Sequence, residues 1–182
     1  EIMFGLNLVV YKGKTIFVGD TSVHEYPSSE QLAEIAISAA RVVRLFGFDP
    51  KVAFVSHSTF GQPVTNRTKH IKDAVEILKK KNVNFEFDGD MQPDVALNEE
   101  YKSLYPFSKI VGNANILIMP GQHSAAISYK MMKTLGDTKV IGPLLIGLGL
   151  PIEIAPLRSS TSEILNLASI AAYSADVIDY TK

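Results

Sequence analysis

The sequence predicts a three-layer α/β/α sandwich built on a mainly parallel sheet. Short, unbroken apolar runs at residues 52–55 and 115–119 have the length and hydrophobicity of strands that are buried on both faces. Longer segments with apolar residues at helical spacing lie between such runs, for example at residues 32–46. This alternation of strands and helices is typical of a parallel sheet with helices on both faces.

The first half of the chain predicts a hairpin, two helices and a buried strand. Residues 4–11 and 15–20 are β-rich runs joined by a glycine-containing turn, so we expect them to pair as a hairpin. Pro27-Ser28-Ser29 opens a helix that continues to Leu45. Residues 65–81 form a second amphipathic helix. The strand between the two helices, within residues 51–55, is predicted to lie at the centre of the sheet.

The second half continues the same alternation. We expect a strand at residues 83–87, then a polar segment at 88–94 that ends this strand and starts a helix through Tyr101. A strand at 115–119 and a helix at 125–135 follow. Residues 140–150 are apolar and rich in glycine, and a strand at 152–155 and a helix at 159–173 complete the pattern.

Composition excludes several classes of protein. The 182 residues fit one compact domain, and their 18 basic and 19 acidic side chains give a net charge of -1, so nucleic acid is not an expected partner. The absence of cysteine excludes disulfides and thiolate sites and fits a cytoplasmic protein. The longest apolar stretch, residues 140–154, is broken by glycine and proline, so no membrane span is predicted. The chain begins inside an apolar pattern, and we expect it to be a piece of a longer protein.

Three polar segments follow three of the predicted strands, at residues 56–61, 88–94 and 121–124. In a doubly wound sheet they gather at one edge, where such folds bind ligands. The first offers Ser56, Ser58, Thr59 and Gly61 to a phosphate or to coenzyme A (CoA), and the third contributes His123 and Ser124. The alternative for each segment is an ordinary turn whose side chains cap the next helix.

Neither a metal site nor a serine hydrolase site is predicted. Asp88, Asp90 and Asp94 resemble the start of a calcium loop, but Pro93 occupies the sixth position, which requires glycine. Ser56-His57-Ser58 lacks the G-x-S-x-G elbow of a hydrolase nucleophile.

Five motifs are spread across nearly the whole chain: DTSV at 20–23, VAFVSHSTFG at 52–61, DGDMQPDVAL at 88–97, NANILIMP at 113–120 and GPLLIGL at 142–148. In sequence and in order they resemble the phosphate acetyl/butyryl transferase family. The similarity is closest to the form that is fused behind the catalytic domain of bacterial NADP-dependent malic enzymes.

The resemblance implies a specific ligand and assembly for this domain. Its ligand would be acetyl-CoA or CoA, and residues 1–182 would form the second half of the transferase-like region, including the face that builds a homodimer. NADP and a divalent metal would belong only to the malic enzyme domain, which lies outside this sequence and converts malate to pyruvate and CO2.

One departure from the family pattern bears on catalysis. Active members carry a Ser-Arg pair, followed by an acidic residue that assists deprotonation of the CoA thiol. Here Leu157 stands at the serine position, Arg158 follows it, and Glu163 matches the acid at a spacing one residue shorter. Because leucine donates no hydrogen bond to a developing charge, transferase activity is not the leading expectation.

Three hypotheses follow. The leading one is a non-catalytic module that senses acetyl-CoA, regulates a malic enzyme domain and helps the parent protein to oligomerise. The second is an active phosphate acetyltransferase, in which Glu163 acts as the base and Ser56, Ser58, Thr59 and Arg158 contact phosphate or CoA. The third is a purely structural dimerisation domain.

Overall fold

The structure of the protein is a computed structural model, and it describes residues 2–62 and 64–177. Strands and helices alternate over most of this part of the chain. In chain order they are β1 (Phe4–Tyr11), β2 (Lys14–Gly19), α1 (Ser29–Leu45), β3 (Lys51–Val55), α2 (Asn66–Lys81), β4 (Glu86–Met91), α3 (Pro93–Leu97), α4 (Glu99–Lys102), β5 (Ile116–Ile118), α5 (Gln122–Leu135), β6 (Thr138–Ile146), β7 (Ile152–Glu153) and α6 (Thr161–Val177).

The strands form one sheet in the order β4-β3-β5-β2-β1-β6-β7. The strands from β4 to β2 are parallel, whereas β1, β6 and β7 extend the sheet with antiparallel pairs. The predicted hairpin is confirmed as β1 and β2. The prediction that the strand at 51–55 is central is wrong, because the antiparallel strands all add to one side and leave β3 second from the opposite edge.

Helices cover both faces of the sheet, so the predicted three-layer α/β/α class is confirmed. On one face, α1, α2 and Leu167 of α6 pack against apolar side chains such as Phe17 and Phe54. On the other face, α3 and α5 cover a second cluster that includes Val18 and Met91. Among the residues described, no helix combines the length and hydropathy that a membrane crossing needs.

Both long helices on the first face begin with the side-chain caps that their sequences predict. At α1, the Ser28 hydroxyl accepts from the Gln31 backbone N–H at 3.2 Å, and the Gln31 side chain accepts from the Ser28 N–H at 2.7 Å. Thr65 and Thr68 form the same reciprocal pair at α2. These caps satisfy amide groups that have no partner within the helix, so they fix where each helix starts.

The fourth strand lies later in the chain than predicted. We expected a strand at 83–87 followed by a polar loop, but β4 runs from Glu86 to Met91 and includes Asp88 and Asp90. Aspartate is disfavoured in strands. Here, however, Asp88 accepts from the backbone N–H of Lys109 at 2.8 Å, and Asp90 accepts from the Ser58 hydroxyl. These long-range hydrogen bonds hold the aspartates in the strand.

The carboxylate of Asp20 organises the turn after β2. It is fully buried and accepts from the backbone N–H groups of Gly5, Ser22, Val23 and His24 at 2.8–3.1 Å. The Nδ1 atom of His24 lies 2.7 Å from Oδ2, and since a carboxylate only accepts, this nitrogen carries the proton. The Asp20 side chain therefore links the start of β1 to the turn that follows β2.

Replacing Asp20 should destabilise the fold severely. Asp20→Ala leaves four backbone N–H groups without their acceptor, and we expect it to lower the free energy of unfolding by about 3–5 kcal/mol. Asp73→Ala, at an exposed helical position, is the matched control and should change it by less than about 0.5 kcal/mol. Urea unfolding followed by circular dichroism measures both, and equal stabilities would contradict the role of Asp20.

Candidate functional site

The parallel part of the sheet brings the predicted polar segments to one edge. β2, β5, β3 and β4 are neighbouring parallel strands, so their carboxyl ends lie side by side. The turn after β3 contacts β4 directly, because the Phe60 N–H donates to the Asp90 carbonyl at 2.6 Å. The segment after β5 contacts the Asp20 turn, where the Gln122 N–H donates to the carbonyl of His24 at 2.9 Å.

Two of the predicted hydroxyls are used within the fold. Ser58 is fully buried and donates to the Asp90 carboxylate, and Thr59 accepts from the Gln92 backbone N–H at 3.2 Å. Ser56 is only half-buried, with its oxygen 3.4 Å from that of Ser58. Ser58 and Thr59 therefore shape the turn, while the Ser56 hydroxyl is the more accessible of the three.

Gly61 brings a basic residue to this turn that sequence reasoning missed. Its φ of +81° lies in the left-handed region, which favours glycine. A Cβ built at this position would collide with the Nζ atom of Lys72, so the ammonium group of α2 lies directly against the Gly61 backbone. The sequence predicts only that Lys72 lies on a helix. Its proximity to the turn depends on how that helix packs, which the sequence does not show.

His123 and Ser124 line a cavity of about 660 Å³ at the same edge of the sheet. The cavity lies at the starts of both α2 and α5, where the helix dipole and unpaired N–H groups favour an anion. Ser124 donates to the Gly121 carbonyl at 2.8 Å. The other residues of its lining are Glu25, Tyr26, Pro27, Asn66, His70, Pro120 and Gly121.

His70 is the second residue that the sequence analysis missed. Its Nε2 atom lies 2.6 Å from the carbonyl oxygen of Pro27, and its Nδ1 atom lies 2.9 Å from the Ser29 hydroxyl. The same hydroxyl lies 3.0 Å from the His70 carbonyl. Both ring nitrogens of His70 are therefore engaged within the fold.

Gly121 allows this cavity to form. A Cβ at this position would collide with the carbonyl oxygen of Glu25, so only glycine lets the start of α5 approach the β2–α1 connection so closely. The Gln122 side chain then donates to the Ser22 carbonyl at 3.1 Å. The Asp20 turn and α5 together therefore set the position of His123 and Ser124.

The third group of predicted residues lies at the start of α6. Glu163 accepts from the Ser160 N–H and hydroxyl at 2.7 and 2.9 Å and pairs with Lys133 at 2.7 Å. The Lys133 ammonium, followed by the Ser160 hydrogen bonds, lowers the pKa of Glu163 to about 2. A carboxylate with such a low pKa is a weak base near neutral pH. Arg158 and Leu157 are exposed in the loop before the helix.

The predicted residues therefore fall into separate groups. Lys133, the partner of Glu163, lies ten residues after His123 on α5, which corresponds to about 15 Å along the helix. The structure places Ser56 to Gly61 beside β4, His123 and Ser124 in the cavity, and Arg158 and Glu163 near the other end of α5. In the described residues, no group of three or more histidine, aspartate or glutamate side chains is arranged to hold a metal ion.

Sequence comparison identifies relatives of two kinds, NADP-dependent malic enzymes and phosphate acetyltransferases. The chain is 46% identical over 173 residues to an NADP-dependent malic enzyme of Rhizobium meliloti, a match that covers 95% of the chain and 23% of that enzyme. It is 33% identical to a phosphate acetyltransferase of Bacillus subtilis, covering 90% of the chain and 51% of the relative. The chain thus spans about a quarter of the first protein and about half of the second.

Comparison with solved structures also identifies a phosphotransacetylase. A phosphotransacetylase from Streptococcus pyogenes superposes with a TM-score of 0.90 at 31% identity, covering 97% of the chain and 54% of that protein. The model of the family described as phosphate acetyl/butaryl transferase matches residues 1–172. On its sequence and its fold alike, this chain belongs to the phosphate acetyl/butyryl transferase family.

Proposed function

We propose that the chain is the regulatory and assembly domain of an NADP-dependent malic enzyme and that it binds acetyl-CoA. The observation that carries this proposal is the 46% identity to about a quarter of a malic enzyme. Leu157, which stands where the family resemblance implies a serine, supports it. The parent protein would oxidise malate in the cytoplasm, with NADP and a divalent metal held outside residues 1–182.

The charges at the candidate site support an anionic ligand. The cavity at the starts of α2 and α5 combines two positive helix ends with the polar imidazole rings of His70 and His123, and the Lys72 ammonium lies at the neighbouring turn. Glu25 is the opposing charge in the same lining. Ser56, Gly61 and the exposed Arg158 add donors that suit the phosphates of CoA.

The surroundings of Glu163 favour regulation over acyl transfer. A general base must take up the thiol proton, but the Glu163 carboxylate is already bound to Lys133 and to the cap of α6. Leu157 is fully exposed and offers no hydrogen-bond donor for the charge that develops in the transition state. The second candidate function is an active phosphate acetyltransferase, because the family match covers most of the chain.

Exposed apolar side chains support a role in assembly. Leu135 and Leu165 are 80% and 61% exposed, and they lie on the two helices that the Lys133–Glu163 pair joins. Others on α5, β7 and α6 are also more than a third exposed: Ile127, Met131, Ile152 and Ile164. Apolar side chains exposed in such number are typical of a surface that another protein surface covers.

Acetyl-CoA should bind to the full-length protein and change its malate turnover. Calorimetric titration measures the affinity, and NADPH formation at saturating malate and NADP measures the turnover. We expect Arg158→Gln to weaken binding by about tenfold or more, because a charge-assisted hydrogen bond to phosphate contributes about 1.5–3 kcal/mol. Lys130→Gln, which removes another exposed cation, is the control. Binding without any effect on turnover, or no binding at all, would contradict the sensor.

The same protein should not form acetyl phosphate from acetyl-CoA and phosphate above the uncatalysed rate. The reason is that Leu157 and the paired Glu163 supply neither the donor nor the base for the reaction. Release of free CoA thiol, followed with a thiol reagent, is the measurement. Turnover that Glu163→Gln abolishes, in a variant with unchanged thermal unfolding, would instead establish the transferase.

Charges introduced at the apolar positions should reduce the oligomeric state. We expect the double variant Leu135→Glu/Leu165→Glu to lower the molar mass in sedimentation equilibrium, because burying an unpaired carboxylate in an interface is costly. Leu104→Glu is the matched control, since Leu104 is 73% exposed in the turn after α4. An unchanged mass for the double variant would refute the assignment of this surface to assembly.

A further inference from the structure

A second cavity lies apart from the candidate site, between α1, α6 and the β6–β7 connection. Its volume is about 270 Å³, just below the roughly 300–1,000 Å³ typical of ligand pockets, so it suits a small molecule. Apolar and aromatic side chains form most of its wall, among them Val42, Leu45, Phe46, Ile146, Leu148 and Val177. None of the residues predicted to bind acetyl-CoA or phosphate belongs to this lining.

One carboxylate interrupts this apolar wall. Glu153 lines the cavity, and its Oε2 atom is buried without a hydrogen-bond partner among the described residues. The backbone N–H of Leu145 donates one hydrogen bond to the carboxyl group. An unpaired carboxylate oxygen in apolar surroundings is costly, so the cavity is incomplete until something donates to that atom.

We propose that this cavity binds a small molecule carrying an ammonium group on a short apolar chain. The ammonium has three donors and the opposite charge, so it satisfies Oε2 and neutralises the buried carboxylate. The apolar chain then occupies the space between Phe46 and the leucine and valine side chains. An anion is repelled by Glu153, and a purely apolar ligand leaves Oε2 unpaired.

The ionisation of Glu153 gives the proposal a pH dependence. Burial, opposed only in part by the Leu145 hydrogen bond, raises the pKa of Glu153 to about 7. Arg41 of α1 and Tyr173 of α6 are the other ionisable side chains that line the cavity in the described part of the chain. Because the ammonium prefers the ionised form, its affinity should rise by about tenfold between pH 6 and pH 8.

Saturation-transfer NMR on the full-length protein tests this with three probes of equal chain length: pentylamine, pentan-1-ol and pentanoate. We expect pentylamine to bind most tightly and to be the only probe whose affinity rises with pH. Norleucine, which is pentylamine with a carboxylate on the carbon that bears the amine, distinguishes a free amine from an apolar amino acid as the source of the ammonium. Either of these ligands supports the site, whereas equal binding of all three pentyl probes, or of none, overturns it.

Two variants test whether pentylamine binds in this cavity. Glu153→Gln should remove the preference for pentylamine and its pH dependence, and Ser174→Phe, which fills the cavity, should block every probe. Glu100→Gln, at an exposed position, is the control. Unchanged pentylamine binding by Glu153→Gln overturns the proposal.

Thermal unfolding provides an independent check that Glu153→Gln is folded. Because the folded pKa lies above the ordinary value of 4.5, the native state binds a proton more readily than the unfolded chain between pH 4.5 and about 7. The stability that this proton contributes is present below pH 4.5 and is lost as the pH rises through 7. Glu153→Gln should therefore raise Tm at pH 8 more than at pH 5, and the opposite order would contradict a buried, unpaired carboxylate.

Discussion

The hydrogen bonds of the buried Asp20 carboxylate are the constraint on which much of the remaining structure depends. They fix the turn after β2. The backbone of that turn then positions α5, because the carbonyls of Ser22 and His24 accept hydrogen bonds from Gln122. Thr21 reinforces the link to β1 through Asn7 at 2.6 Å. The start of α5 and the cavity beside it are thus held by hydrogen bonds that begin at one charged group, which no apolar residue of similar size would replace.

The polar residues at the sheet edge divide between building the site and facing a ligand. Ser58 and Asp90 are each fully buried, and the Ser58 hydroxyl donates to one carboxylate oxygen of Asp90, which joins β3 to β4 where both strands end. Such buried pairs hold a turn rigidly, since breaking either partner leaves the other unsatisfied. Ser56, His123 and Ser124 are more accessible, and the rigid turns hold them in place. A rigid frame with a few accessible donors is what a pre-organised ligand site requires.

Local signals in the sequence predicted most of the fold. The capping residues Ser28 and Thr65 and the apolar periodicity of α1 and α2 depend on neighbours in the chain, and so does the hairpin turn. The extent of β4 was missed because it depends on Ser58 and Lys109, which are distant in sequence from the aspartates they contact. Of the candidate site, the segments at 56–61 and 121–124 were identified correctly as following strands, whereas the first half of the segment at 88–94 lies within β4. His70 and Lys72 were missed because only the packing of α2 brings them there.

Two glutamates near the end of the chain show how environment decides what a carboxylate can do. Glu163 is surrounded by donors, so its charge is stabilised and its pKa falls to about 2. Glu153 has one backbone donor and an apolar wall, so its charge is destabilised and its pKa rises to about 7. The first has little tendency to take up a proton or to exchange its partner for a ligand. Glu153 takes up a proton more readily, and we propose that a cation can stabilise the same unpaired oxygen. Family resemblance directs attention to Glu163, whereas the physical chemistry of the fold directs it to Glu153.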